Sequence, residues 1–142
     1  MSTTLSLAAA VTFVWLGMVL AISFLEAPLK FRAPGVTLTI GLGIGRLVFW
    51  ALNAVESVLA LVIVVSLLLG PPAPGAAVTL GVAIAALGVQ LVLVRPALTR
   101  RTNAVLSGEP TERRSHAHLV YVAVEVIKVV ALLLGGTMLL SM

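Results

Sequence analysis

Four stretches of this chain are apolar almost without interruption, at residues 5–25, 47–69, 76–94 and 119–140. Each is close to the ~20 helical residues needed to cross a hydrocarbon core. Polar side chains within them are rare, and most other positions are Val, Leu, Ile and Ala. That is the pattern of a helix dissolved in lipid, not of one lying on a soluble core. Between the second and third stretches, Gly70, Pro71, Pro72, Pro74 and Gly75 break any helix without bringing in a charge, so a tight turn is predicted there. The first and third connections are longer and polar. The N-terminal segment MSTTLSLAAA carries no Lys or Arg ahead of its apolar run. It lacks the basic region of a cleavable signal and reads as the first membrane helix. The expectation is an all-α integral membrane protein, with residues 1–142 forming a single transmembrane domain of four bundled helices.

Against that background four ionisable residues stand out: Glu26, Glu56, Glu125 and Lys128. Such a group at bilayer depth costs about 2.5–3.5 kcal/mol on insertion scales, so it should face the bundle interior or a wet cavity. Arg46 marks one boundary of helix two, and Glu56 lies about 15 Å further along the axis. That is near the middle of the hydrocarbon core, and Glu125 and Lys128 reach a similar depth in helix four. Glu26 ends helix one just before Pro28, where an ion pair with Arg46 would account for it.

Helical phase sorts the faces. Arg46, Phe49, Asn53, Glu56 and Ala60 recur at spacings of three and four, as do Arg114, His118, Tyr121, Glu125, Lys128 and Leu132. Each set is one stripe. Two polar stripes in lipid must meet each other or a cavity, so helices two and four are expected to be neighbours. A shift of 72 residues superimposes the stripes, with Arg46 on His118, Phe49 on Tyr121, Asn53 on Glu125 and Glu56 on Lys128. This is the pattern of a duplicated helical hairpin. It sets Glu56 against Lys128 and leaves Glu125 as a carboxyl without an assigned counter-charge. From Glu125, Tyr121 and His118 lead towards the membrane surface as a proton wire, His being the side chain that changes charge near neutral pH.

Composition narrows the function classes. Residues are 61% hydrophobic and 10% charged, against about 25% charged in a soluble domain, and mean hydropathy is +1.20. There is no cysteine, which removes disulfides and thiolate metal sites. The net charge of +4 is placed unevenly. Lys30, Arg32, Arg46, Arg95, Arg100, Arg101, Arg113 and Arg114 fall on the side of the first and third connections, and Lys128 alone is intramembrane. Excess Lys and Arg in short loops marks the cytoplasmic face. Both termini are then expected outside, in a bacterial inner membrane, with the basic loops against anionic headgroups. No aromatic platforms interleave with these cations, which excludes a nucleic-acid surface.

The candidate substrate- or ion-binding residues are therefore Arg46, Asn53, Glu56, His118, Tyr121, Glu125 and Lys128. A metal reading uses His116 and His118, with Glu26 and Glu125 nearby, as nitrogen and oxygen ligands. Both histidines share one segment, which does not suit a haem held between facing helices. The glycines of GLGIGR lack the spacing and preceding strand of a nucleotide loop and read as small residues for close helix packing. Trp50 is placed as an interface anchor, whereas Trp15 falls mid-helix, where it would line a pocket.

The motifs WLGMVLAISFLEAPLKF, GIGRLVF, RPALTRR and SHAHLVYV together resemble small four-helix membrane proteins allied to CopD-type copper-resistance proteins. The resemblance implies the fold more than an activity. Asn53-Ala-Val-Glu56 separately resembles the Asn-x-x-Glu element of membrane-associated eicosanoid and glutathione metabolism proteins. In that family an Arg stands four residues before the Asn, where this chain has Phe49. The leading expectation is binding and movement of a small solute or ion, proton-coupled through Glu125 and His118. The alternatives are a membrane-embedded enzyme that acts on a lipophilic substrate through Asn53, Glu56 and Tyr121, and a structural subunit of a membrane complex. Expected partners are the lipid bilayer, a small solute or ion and further copies of the chain. Nothing in the sequence names a cofactor.

Overall fold

Each apolar run becomes a helix, and most of the helices extend beyond the run that announced them. In a computed structural model of the chain, described at residues 2–94, 100, 103 and 116–142 (side chains of 94 and 116–118 apart), the helices are α1 Thr3–Arg32, α2 Leu38–Leu69, α3 Pro74–Leu93 and α4 His116–Leu140. Four helices are long and apolar enough to cross a membrane. The described residues contain no strand. The protein is an all-α, four-helix integral membrane protein.

The largest departures from the sequence expectation are in α1 and α2. Helix α1 does not stop at Glu26. It is α-helical over Thr3–Val19, widens to π-helix over Leu20–Glu26, and continues through Ala27–Leu29 and a 3-10 turn at Lys30–Arg32. The Ala27 N–H donates to the Ile22 carbonyl, five residues back. Pro28 brings no N–H and its ring crowds the preceding turn; the wider π geometry carries the chain past it. Helix α2 begins well before residue 47, because Thr37 caps it: its hydroxyl accepts from the Ile40 N–H at 3.2 Å. Between them the chain reverses at Gly35, whose φ of +82° is the left-handed conformation that glycine adopts without a Cβ penalty. At the other end of the bundle, Gly70 closes α2 and Pro74 opens α3, the position in a helix where a missing N–H costs nothing.

Helix α1 packs along both α2 and α4, and α4 packs along α3, whereas α2 and α3 meet only briefly. Helices α2 and α4 are not the neighbours expected from their facing stripes. They lie across the diagonal, and long side chains bridge them. Around the end bearing the termini, Leu5, Ala8, Ile63, Leu80, Leu132 and Leu139 form a continuous buried core. Glycines allow the approach there: a Cβ on Gly135 would stand 2.5 Å from Leu80 Cδ2, and one on Gly136 2.7 Å from Phe13 Cζ. Gly41 and Gly45 do the same at the opposite end, where Phe31 and Lys30 cross α2. The packing role expected of those two GLGIGR glycines is present, but Gly43 meets nothing within 4 Å.

Candidate functional site

Among the described residues, three charged side chains lie fully in the interior of the bundle. Glu56 and Lys128 are 0% exposed and Glu125 is 1% exposed. The buried face of α2 carries Asn53, Glu56, Ala60 and Ile63, and that of α4 carries Tyr121, Glu125, Lys128 and Leu132. Their three- and four-residue spacing keeps each set on one side of its helix.

The Lys128 ammonium is the centre of the cluster. It lies 2.5 Å from Glu56 Oε2 and 2.5 Å from Glu125 Oε1, and donates to Gln90 Oε1 at 2.8 Å. An ammonium has three protons, and here each has an acceptor. The expected pairing of Glu56 with Lys128 is thus present. The expectation that Glu125 lacks a counter-charge is corrected, since Lys128 is shared between both carboxylates. Glu125 is held further by Ser23, whose hydroxyl donates to Oε2 at 2.7 Å, and by the Gln90 amide, which donates to Oε1 at 3.3 Å. Glu56 Oε2 also accepts from Trp15 Nε1 at 3.0 Å. All four helices contribute: Trp15 and Ser23 from α1, Glu56 from α2, Gln90 from α3, Glu125 and Lys128 from α4.

Two of these contributors sit where the backbone is irregular. Ser23 lies within the π segment of α1, and Gln90 opens a second π segment, Gln90–Val94, in α3. Local π turns inside α-helices are rare and cluster at functional sites. Glu56 Oε1 and, one turn away on α2, Asn53 Oδ1 are buried and accept no hydrogen bond. One turn from Asn53, Phe49 and Tyr121 meet edge to face with ring centroids 5.7 Å apart. Beyond them the Lys30 ammonium lies 5.6 Å from the Phe49 centroid and 3.9 Å from Glu26 Oε2.

The remaining sequence expectations divide as follows. Arg46 is exposed and donates to Asn103 Oδ1 at 2.9 Å; it neither joins the cluster nor pairs with Glu26. Glu26 takes Lys30 instead, because α1 continues through Pro28 and keeps the two residues one turn apart. Trp50 is 64% exposed on the lipid face, while Trp15 is fully buried. The proposed metal ligands His116 and His118 have side chains outside the described set, and the His118 end of the expected wire from Glu125 lies there too. Among the described residues no group of three or more His, Cys, Asp or Glu could hold a metal. Sequence reasoning missed Gln90 and Ser23 altogether. Gln90 had a readable signal, as the one carboxamide in the run 76–94. No known family model, curated protein or solved structure matches the chain.

Proposed function

We propose that this protein binds a small cation inside the membrane and exchanges it for a proton. One observation carries the reading. Two carboxylates share one ammonium, and none of the three residues is exposed by more than 1%. With every group ionised, the cluster keeps one negative charge. A buried ion without a partner is strongly unfavourable, so the resting cluster holds one proton between Glu56 and Glu125, and an incoming cation takes its place. The two occupied forms are both neutral, which lets them interchange at bilayer depth.

In the same reading the basic end faces the cytoplasm of a bacterial cell and both termini lie outside. The likeness to CopD-type proteins enters as shared architecture. The chain has no cysteine, so single reporter cysteines give an unambiguous topology. Labelling of position 30 from outside intact cells by an impermeant thiol reagent would reverse the orientation.

The function is tested in proteoliposomes carrying an imposed pH gradient and an internal pH dye. Addition of small inorganic and organic cations should collapse the gradient through the wild-type protein. Glu56→Gln and Glu125→Gln, each of which leaves a neutral carboxylate–ammonium pair, should not support the exchange. If no cation moves protons through the folded wild type, the reading is wrong.

A further inference from the structure

We infer that the cation is a protonated amine, seated on Asn53 Oδ1 and Glu56 Oε1 beneath the Phe49–Tyr121 ring pair; this rests on the cation–proton reading above and names its substrate class. Asn53 is 3% exposed and Glu56 0% exposed, yet these two oxygens have no hydrogen-bond partner. Buried acceptors are normally satisfied, and a native exception asks for an explanation. The two residues lie three apart on α2, on one face and within one turn of each other. Once the proton has left Glu56, both atoms are acceptors only, so an occupant that takes the proton's place must donate two hydrogen bonds. The cluster is short of one positive charge, so the occupant is a cation.

The same carboxylate already shows how it holds an ammonium. Lys128 Nζ sits between Glu56 Oε2 at 2.5 Å and the carboxamide oxygen of Gln90 at 2.8 Å. The two acceptors without a hydrogen bond are again one carboxylate oxygen and one carboxamide oxygen, Glu56 Oε1 and Asn53 Oδ1. The chemistry that accepts Lys128 is repeated without its cation. Hard divalent metal ions ask for six or more oxygen ligands, and two are open here. An ammonium needs only acceptors for its N–H groups. The ring pair adds to this: Phe49 is one turn from Asn53, and its ring already has the Lys30 ammonium 5.6 Å from its centroid, within cation–π range. Exchange needs no bond to be made or broken beyond proton loss. R–NH3+ enters, the carboxyl proton leaves to water, and the cluster is neutral before and after.

Calorimetric titration of the whole protein in lipid nanodiscs tests this, with butylammonium, tetramethylammonium and sodium as probes. Each titration is run in two buffers of different ionisation enthalpy, which counts the protons released. Butylammonium should bind with release of about one proton, and more tightly as pH rises by about tenfold per unit while the proton competes. Tetramethylammonium, which has no N–H, and sodium should bind at least about tenfold more weakly, the loss expected for hydrogen bonds to a charged group. Asn53→Leu should weaken butylammonium by about tenfold or more. Glu56→Gln should remove both binding and proton release; should that variant fail to fold, Asn53→Leu still decides. Equal binding of all three cations with Asn53→Leu silent overturns the amine inference and leaves cation–proton exchange standing. Proton release by none of them overturns both.

Discussion

Towards the termini, the helices interlock through small residues: Gly135 under Leu80, Gly136 under Phe13, Gly70 against Thr4, Gly75 against Met138. Beyond Trp15 the same bundle is held by a lysine, two glutamates, a glutamine and a serine. The backbone changes with the chemistry. Helix α1 is regular through Val19 and α3 through Val89; both become π-helical on the polar side. Among the described residues of the dry half, packing does most of the holding, beside a hydrogen bond from Thr79 Oγ1 to Met138 Sδ at 3.4 Å, because lipid is as apolar as leucine and offers no hydrophobic drive. In the polar half, the helices depart from α geometry where Ser23 and Gln90 reach the carboxylates. The contrast separates a close-packed apolar half from a half that holds the buried ionisable groups, and substitutions can test that separation.

Lys128→Met should have the largest effect. It leaves Glu56 and Glu125 buried without their common cation, and breaking a buried ion pair in this way costs about 3–5 kcal/mol. Unfolding in mixed detergent should show that loss. Adding Glu56→Gln and Glu125→Gln to the same chain should restore most of it, since the uncompensated charges are gone. If Lys128→Met unfolds like wild type, the polar half is not an ionised cluster and the contrast between the halves fails.

The dry half is probed by Gly135→Ala together with Gly136→Ala. The new Cβ atoms would stand 2.5 Å from Leu80 Cδ2 and 2.7 Å from Phe13 Cζ, so neighbouring side chains must shift. Overpacking of this kind costs about 1–3 kcal/mol. Thermal stability should fall, while cation-linked proton release stays at the wild-type value. A change in proton release would mean that the two halves are coupled, and the division of labour would need revising.

How much of this was legible in the sequence depends on which physical rule applied. The four spans and the Glu56–Lys128 pair followed from run length and helical phase, which act locally. The diagonal placement of α2 and α4 did not, because phase shows which residues face inward and not which helix stands adjacent. A long Lys reaching a Glu satisfies either arrangement. The partner of Glu125 was readable and overlooked: Lys128 stands three residues away on the same helix, the spacing at which helical side chains meet. Pro28 misled at the end of α1, because a π segment carries the helix past it. Ser23 carried no signal, since a lone serine in an apolar helix ordinarily bonds its own backbone. Only the fold brings it to Glu125.

Ser23→Ala should have a smaller effect on stability. It removes the hydroxyl 2.7 Å from Glu125 Oε2, a hydrogen bond worth about 0.6–1.7 kcal/mol between membrane helices. Cation-linked proton release should persist, because Glu56, Glu125 and Lys128 all remain. Loss of that release would make Ser23 part of the exchange and not only of the packing.

The smallest effect is expected at Arg46, and it bears on where the site ends. Arg46 continues the α2 stripe that holds Asn53 and Glu56, so periodicity alone includes it with them. In the fold it is exposed and donates to Asn103 Oδ1 at 2.9 Å, on the far side of the Phe49–Tyr121 pair from the cluster. Exposed polar contacts of this kind contribute about 0–1 kcal/mol, and substitution there usually stays within about 0.5 kcal/mol. Arg46→Ala should therefore leave unfolding and proton-linked cation binding close to wild type, while Lys128→Met, on the matching stripe of α4, is the most damaging substitution. The ring pair between them is what separates the two outcomes. If Arg46→Ala lowers cation affinity tenfold or more, the rings are not the limit of the site. The basic end would then belong to it, and the polar half would have to be redrawn as a continuous path from Arg46 to Lys128.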